Sequence, residues 1–234
     1  MTKAILLRAG NDDFCDKDKV MSDLTFDFIP ISEEGEEVIE TISYDWIKSR
    51  VHNGKYLSEI YPKLKGIKCH LDPYFPDYYR YKTFNNPTYC DPGIIKSEFL
   101  KTLNEGDLLV FYQGIKEQGK KKELFIIGYF VVGKIIDLDL CKDEEYNELR
   151  KKYFSAHLMR KSPTGVLVIG SKGRLLNKPL CLTEGMKKDS TNYIIKKKYA
   201  NLLGINELQS SSYFVKVLIG DEFINLQNLI NELK

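Results

Sequence analysis

The chain has 234 residues, with 35 basic against 33 acidic side chains and a net charge of +2. With 43% hydrophobic and 29% charged residues, it is ordinary globular material, long enough to bury a real core. Near-balanced charge excludes a protein that coats long duplex nucleic acid by electrostatics alone, and points instead to local recognition or a small ligand.

"KAILLR" (residues 3–8) is a short apolar run ended by Gly10, which predicts a buried first strand. It is interrupted by Arg8 and far too short for a signal peptide or membrane anchor, so no membrane partner is expected. "GNDDFCDKDK" reads as an acidic loop, and "DLTFDFIPI" (residues 23–31) as a strand stopped by proline. "SEEGEEVIE" reads as a solvated turn, "VIETISYD" as a short strand, and the segment from Trp46 to Gly66 as a helix broken at Asn53-Gly54.

Ile94, Ile95, Phe99, Leu100 and Leu103 predict an amphipathic helix closed by Gly106. "DLLVFYQGI" and "ELFIIGYFVVGKIIDL" read as a long-looped hairpin, and residues 141–159 as a helix with Glu–Lys/Arg pairs at favourable spacing. "GVLVIGS" and "GRLLNKPLCLT" are expected as two strands about a turn, "NYIIKKKYANLLGI" as a short helix, and "SSYFVKVLIG" as a strand. A closing helix should bury Phe223, Leu226, Leu229, Ile230 and Leu233. Strands cluster and helices intersperse without a regular β-α-β series. The fold class expected is α+β, with a mostly antiparallel, barrel-like sheet and flanking helices. The whole chain, 1–234, reads as one domain with an aromatic loop insertion at about 68–93.

That insertion, "KCHLDPYFPDYYRYKTFNNPTYCDPG", holds His70, Asp72, two cysteines and seven aromatic rings. The rings, Tyr74 among them, either stack on a base, with Arg80, Lys82 and Lys68 on phosphates, or fold inward as the loop's own core. His70 and Asp72 either form an oriented imidazole–carboxylate pair or are a satisfied histidine and a turn cap. Arg8, Asp12 and Asp13 at the end of the first strand supply a second polar cluster. Zinc spacings are absent, so no metal and no cofactor is assigned. "GSKGR" is either an ordinary hairpin turn or a phosphate cradle using Lys172 or Arg174. The nearest nucleophile candidate is Cys69 beside His70. Five cysteines without C-x-x-C read as reduced thiols of a cytoplasmic protein.

The ordered set Arg8-Ala-Gly-Asn-Asp12, "FIPI", "CHLDP", "GDLLVFYQG", "LFIIGYFVVGKI" and "GVLVIGSKGRLL" resembles the nucleotide modification associated domain family of the third type. Tyr74 stands where that family usually has a second acid, and Gln113-Gly114 where it tends to have Gly-Trp. The resemblance implies a role in systems that make, read or process modified bases. The hairpin also resembles the core hairpin of PUA, ASCH and EVE barrels, which bind modified or flipped bases. Three functions follow. The first is a binding module for a nucleotide, or for nucleic acid with a modified base, using His70, Asp72, Arg8, Asp12, Tyr74, Tyr112, Gln113, Lys172 and Arg174. The second is a nucleotide-modifying enzyme using His70 and Asp72. The third is a protein-interaction subunit. Oligomeric state is not legible.

Overall fold

In the computed structural model, residues 2–10, 26–33, 38–79, 84–116, 121–188, 190–209 and 214–233 are described. Strand β1 (Lys3–Arg8) forms where expected, and its four central residues are buried. It lies between β11 (Val215–Ile219), antiparallel, and β5 (Leu108–Lys116), parallel. A strand with neighbours on both edges and layers on both faces needs an unbroken apolar run, and "KAILLR" supplies one. The expected hairpin pairs β5 with β6 (Lys122–Asp137). Beyond β6 come β7 (Val166–Cys181) and the edge strand β4 (Thr88–Asp91), giving the order β11-β1-β5-β6-β7-β4. The sheet is mixed, mostly antiparallel and curled into a half-barrel, in an α+β fold.

Two cores sandwich this sheet. Ile5, Leu7, Leu109 and Phe111 face one; Ala4, Leu6, Val110 and Tyr112 face the other, as period-2 alternation requires. In β6 the parity flips. Phe125 and Ile127 face the first core, and so do Phe130 and Val132. Phe111 pairs with Gly128 and Tyr112 with Ile126, so Ile127 is the one extra residue that exchanges the faces. A Cβ at Gly128 would lie 2.7 Å from the Phe75 ring and 2.9 Å from the Arg174 carbonyl. Gly128→Ala is therefore expected to destabilise by about 1–3 kcal/mol through overpacking, read by urea denaturation.

"GSKGR" is not a turn. It runs inside β7, with Val131 opposite Lys172 and Tyr129 opposite Arg174. The strand continues because glycine lets it cross β6 closely: a Cβ at Gly173 would meet the Tyr129 carbonyl at 2.4 Å. The residues that suggested a turn instead accommodate a bulged strand pair.

The second core is closed by β8 (Thr183–Met186), β9 (Asn192–Ile195), β10 (Glu207–Gln209) and two helices, α5 (Lys197–Leu203) and α6 (Gly220–Glu232). "NYII", expected to open a helix, is β9, and the helix begins two residues later. α6 buries Phe223, Leu226 and Ile230, with Leu229 and Leu233 packed alongside, as its spacing predicts.

The first core is covered by irregular chain. Residues 26–30 are not a strand; only the two-residue β2 (Ile31–Ser32) forms, pairing with β3 (Cys69–His70). Residues 38–45 make isolated bridges, at Val38 and Ser43, rather than a strand. Helical structure from Trp46 to Gly66 shrinks to α1 (Leu57–Ile60) and a short 3-10 turn. α2 (Pro76–Tyr79) sits within the aromatic segment. α3 (Ile94–Lys101) forms but is capped at Thr102, short of the expected closure at Gly106; of the expected apolar face Ile94 and Ile95 are exposed, and Leu100 and Leu103 are buried. α4 (Asp143–Lys152) stops seven residues before Met159, with no buried side chain of its own. No helix among the described residues is long and apolar enough to cross a membrane.

Candidate functional site

Three separated segments meet at the end of β1. Arg8, Ala9 and Gly10 leave the sheet there, with the Ala9 N–H still donating to the Tyr112 carbonyl at 3.0 Å. Pairing of β2 with β3 sets Ile31 opposite His70. Asp72 follows, and its carboxylate takes over the free side of the edge strand β4: Oδ1 accepts from the Cys90 N–H at 3.1 Å. Tyr74 and Thr88 then exchange backbone hydrogen bonds at 2.8 and 3.2 Å, which covers that edge. The turn after α4 supplies the third segment, where the Ser155 hydroxyl (2.9 Å) and the His157 N–H (3.4 Å) donate to Asp72 Oδ2.

These segments enclose a cavity of about 490 Å³, its walls including Arg8, His70, Asp72, Asp91, Lys96 and His157. His70 is buried and doubly oriented. Its Nδ1 lies 2.7 Å from Glu33 Oε2, and the other Glu33 oxygen accepts from Arg160 at 3.2 Å. Its Nε2 points to Asp72 Oδ2 at 3.9 Å, and its ring meets the His157 ring edge-on at 4.6 Å. Lys96 bonds Asp91 at 3.0 Å and the Tyr89 hydroxyl at 3.1 Å.

Protonation follows from burial and neighbours. Burial works to raise the Glu33 carboxyl, but the hydrogen bonds and charges of His70 and Arg160 outweigh it and leave it below the ordinary value. Burial pushes Asp72 up to about 7 against the pull of His70, Ser155 and two backbone N–H groups. Burial, with electrostatic contributions from His70, Arg160 and Lys96, holds His157 down to about 2, so its imidazole is neutral at physiological pH. Groups with pKa values displaced in opposite directions inside one cleft mark a site that can do chemistry.

The expected residues divide. Arg8, His70 and Asp72 line the cavity together; Asp12, like Asp13, Arg80 and Lys82, lies outside the described residues. Tyr74 is fully buried, stacked on Tyr79 at 5.7 Å, and presents no face to a guest. Tyr112 is on the opposite face of the sheet, its hydroxyl donating to the Gln209 carbonyl at 3.0 Å. Gln113 is sealed behind Gly10, whose φ is +82° and where an added Cβ would lie 2.8 Å from the Gln113 amide nitrogen, so no larger residue is admitted. Lys172 is exposed on β7. Arg174 lines a second cleft of about 840 Å³ with Trp46, Arg50 and Tyr78. Cys69 turns into the first core, where burial raises its thiol, so it is no nucleophile. The four described cysteines are free thiols.

Glu33 and His157 were not expected here. His157 carried one signal: composition shifts from the charged "DEEYNELRKK" to "YFSAHLM", where α4 ends. Nothing separates Glu33 from its acidic neighbours.

Comparison with curated proteins and with solved structures gave no match. The family described as nucleotide modification associated domain 3 matches residues 3–213, which include β1 and every described wall of the cavity. On that match, and in keeping with the motif order of the sequence, the chain belongs to the nucleotide modification associated domain 3 family.

Proposed function

We propose that the cavity at the end of β1 binds a nucleotide, free or within a nucleic acid, and acts on it. Family membership associates the chain with nucleotide modification. The observation that carries the reading is the convergence of Arg8, His70 and Asp72, from segments more than sixty residues apart, on one open cavity. Arg8 supplies charge-assisted donors suited to a phosphate. Glu33 fixes the His70 tautomer, so Nε2 faces the reacting end of the bound molecule. A module that only reads a base by stacking would keep open ring faces at the cavity; among the segment's described rings Tyr89 lines it, but is 4% exposed with its hydroxyl held by Asp91 and Lys96, and Tyr74, Phe75 and Tyr79 are in the core.

Nucleoside phosphates and short oligonucleotides, incubated with the protein with and without a divalent cation, should yield a product by chromatography and mass spectrometry. His70→Gln should reduce its formation at least about 100-fold while circular dichroism is unchanged. Binding without product, retained in His70→Gln, would return the reading to a recognition module.

The second cleft favours an added contact. Trp46, 73% exposed, lines that cleft together with Arg50 and Arg174, the combination of aromatic and basic side chains that holds single strands. As the chain's one tryptophan, Trp46 reports directly: an oligonucleotide should quench its fluorescence and a mononucleotide should not.

A further inference from the structure

We infer that His70, Asp72 and His157 bind one divalent transition-metal ion at the base of the cavity. The inference deepens the nucleotide reading by assigning its reactive centre, yet its test needs no nucleotide. One ligand atom from each residue lies within 4.8 Å of the others, and His70 Nε2 and Asp72 Oδ2 are 3.9 Å apart. An ion about 2.0–2.2 Å from each donor sets the donors roughly 3–3.5 Å apart, so closure needs shifts of about 1 Å.

The surroundings are those a metal site needs. A ligating histidine commonly donates its other ring N–H to a carboxylate, which fixes the tautomer and raises the basicity of the ligating nitrogen. Glu33 does this for His70 at 2.7 Å and is itself anchored by Arg160. Asp72 accepts from Cys90, Ser155 and His157. A carboxylate has about two lone-pair positions on each oxygen, so a cation on Oδ2 would take the place of the longest contact there, the 3.4 Å one from the His157 N–H. A simple acid–base pair would require His70 and one acid; a second imidazole with a ring nitrogen within 4.8 Å of both is what a ligand set adds. Two imidazoles and one carboxylate select first-row transition ions over Mg(II) or Ca(II), and leave coordination positions open to water or a ligand oxygen.

The test is calorimetric titration of the full chain, stripped with a chelator and dialysed, against Zn(II), Co(II), Mn(II) and Mg(II). The expected result is one Zn(II) or Co(II) per chain, with Mg(II) much weaker. Glu33→Gln, which keeps all three ligands, should weaken binding about 10- to 100-fold; His157→Ala should abolish it with the circular dichroism spectrum retained. Should His157→Ala fail to fold, the wild-type stoichiometry and Glu33→Gln decide. No stoichiometric uptake by the wild type, or wild-type affinity in a folded His157 variant or in Glu33→Gln, would overturn the inference. Metal uptake without nucleotide binding would leave this site standing and remove the nucleotide reading; nucleotide binding without metal uptake would do the reverse.

Discussion

Phe75→Ala should cost about 3–5 kcal/mol, the range for truncating a fully buried phenylalanine. Phe75 sits where the aromatic segment enters the first core. It has no exposed surface and meets the rings of Phe28, Phe111 and Phe130 at centroid distances of 6.1, 5.9 and 5.3 Å. Its ring tip occupies the space left open by Gly128, so the hole cannot be refilled from the sheet. For a chain of this length such a loss lowers Tm by roughly 6–20 °C, measurable by scanning calorimetry. A ring held at the surface for base stacking would change stability by less than about 0.5 kcal/mol when truncated. That smaller value would mean the segment is a ligand platform after all.

Asp72→Ala is expected to cost about 3 kcal/mol, by a different route. Its side chain takes donors from β4, from Ser155 and from the backbone at His157, and so ties the edge of the sheet to the turn after α4. Alanine leaves those donors buried without an acceptor, at about 1–3 kcal/mol for each well-formed bond lost. Relief from burying the carboxylate offsets part of the total. Asp72→Asn keeps an acceptor for Cys90 but not for Ser155 and the His157 N–H, two of the three bonds, and should lose about two thirds as much. Denaturant titration of both variants checks the order; wild-type stability in Asp72→Asn would show that the carboxylate's second oxygen ties nothing together.

Legibility followed the kind of force involved. β1, the β5–β6 hairpin and α6 were readable because burial alone dictates their apolar patterns. The bulge at Gly128 and the continuity of β7 through "GSKGR" were not: glycine there answers to a close approach by Phe75 and by Tyr129, which no local window contains. The exposed Ile94 and Ile95 misled in the same way, since the helical spacing is real but the sheet reaches only Leu100 and Leu103. At the site, Arg8, His70 and Asp72 were legible from their place at a strand end and in the "CHLDP" motif. Tyr74, Tyr112 and Gln113 were chosen as neighbours of that motif or of the β5 strand, and packing put them behind or across the sheet from the cavity. Glu33 and His157 entered through long-range pairing of β2 with β3 and through the turn held by Asp72, neither of which local sequence encodes.

The central claim is that the cavity at the end of β1, lined by Arg8, His70 and His157, holds a nucleotide. Calorimetric titration of nucleoside phosphates into the wild type and into Arg8→Ala tests it most directly. The account predicts saturable one-to-one binding for the wild type, weakened about ten- to a hundredfold in Arg8→Ala, as befits loss of a charge-assisted contact. Undiminished affinity in Arg8→Ala, or no heat from any nucleotide with the folded wild type, would contradict it.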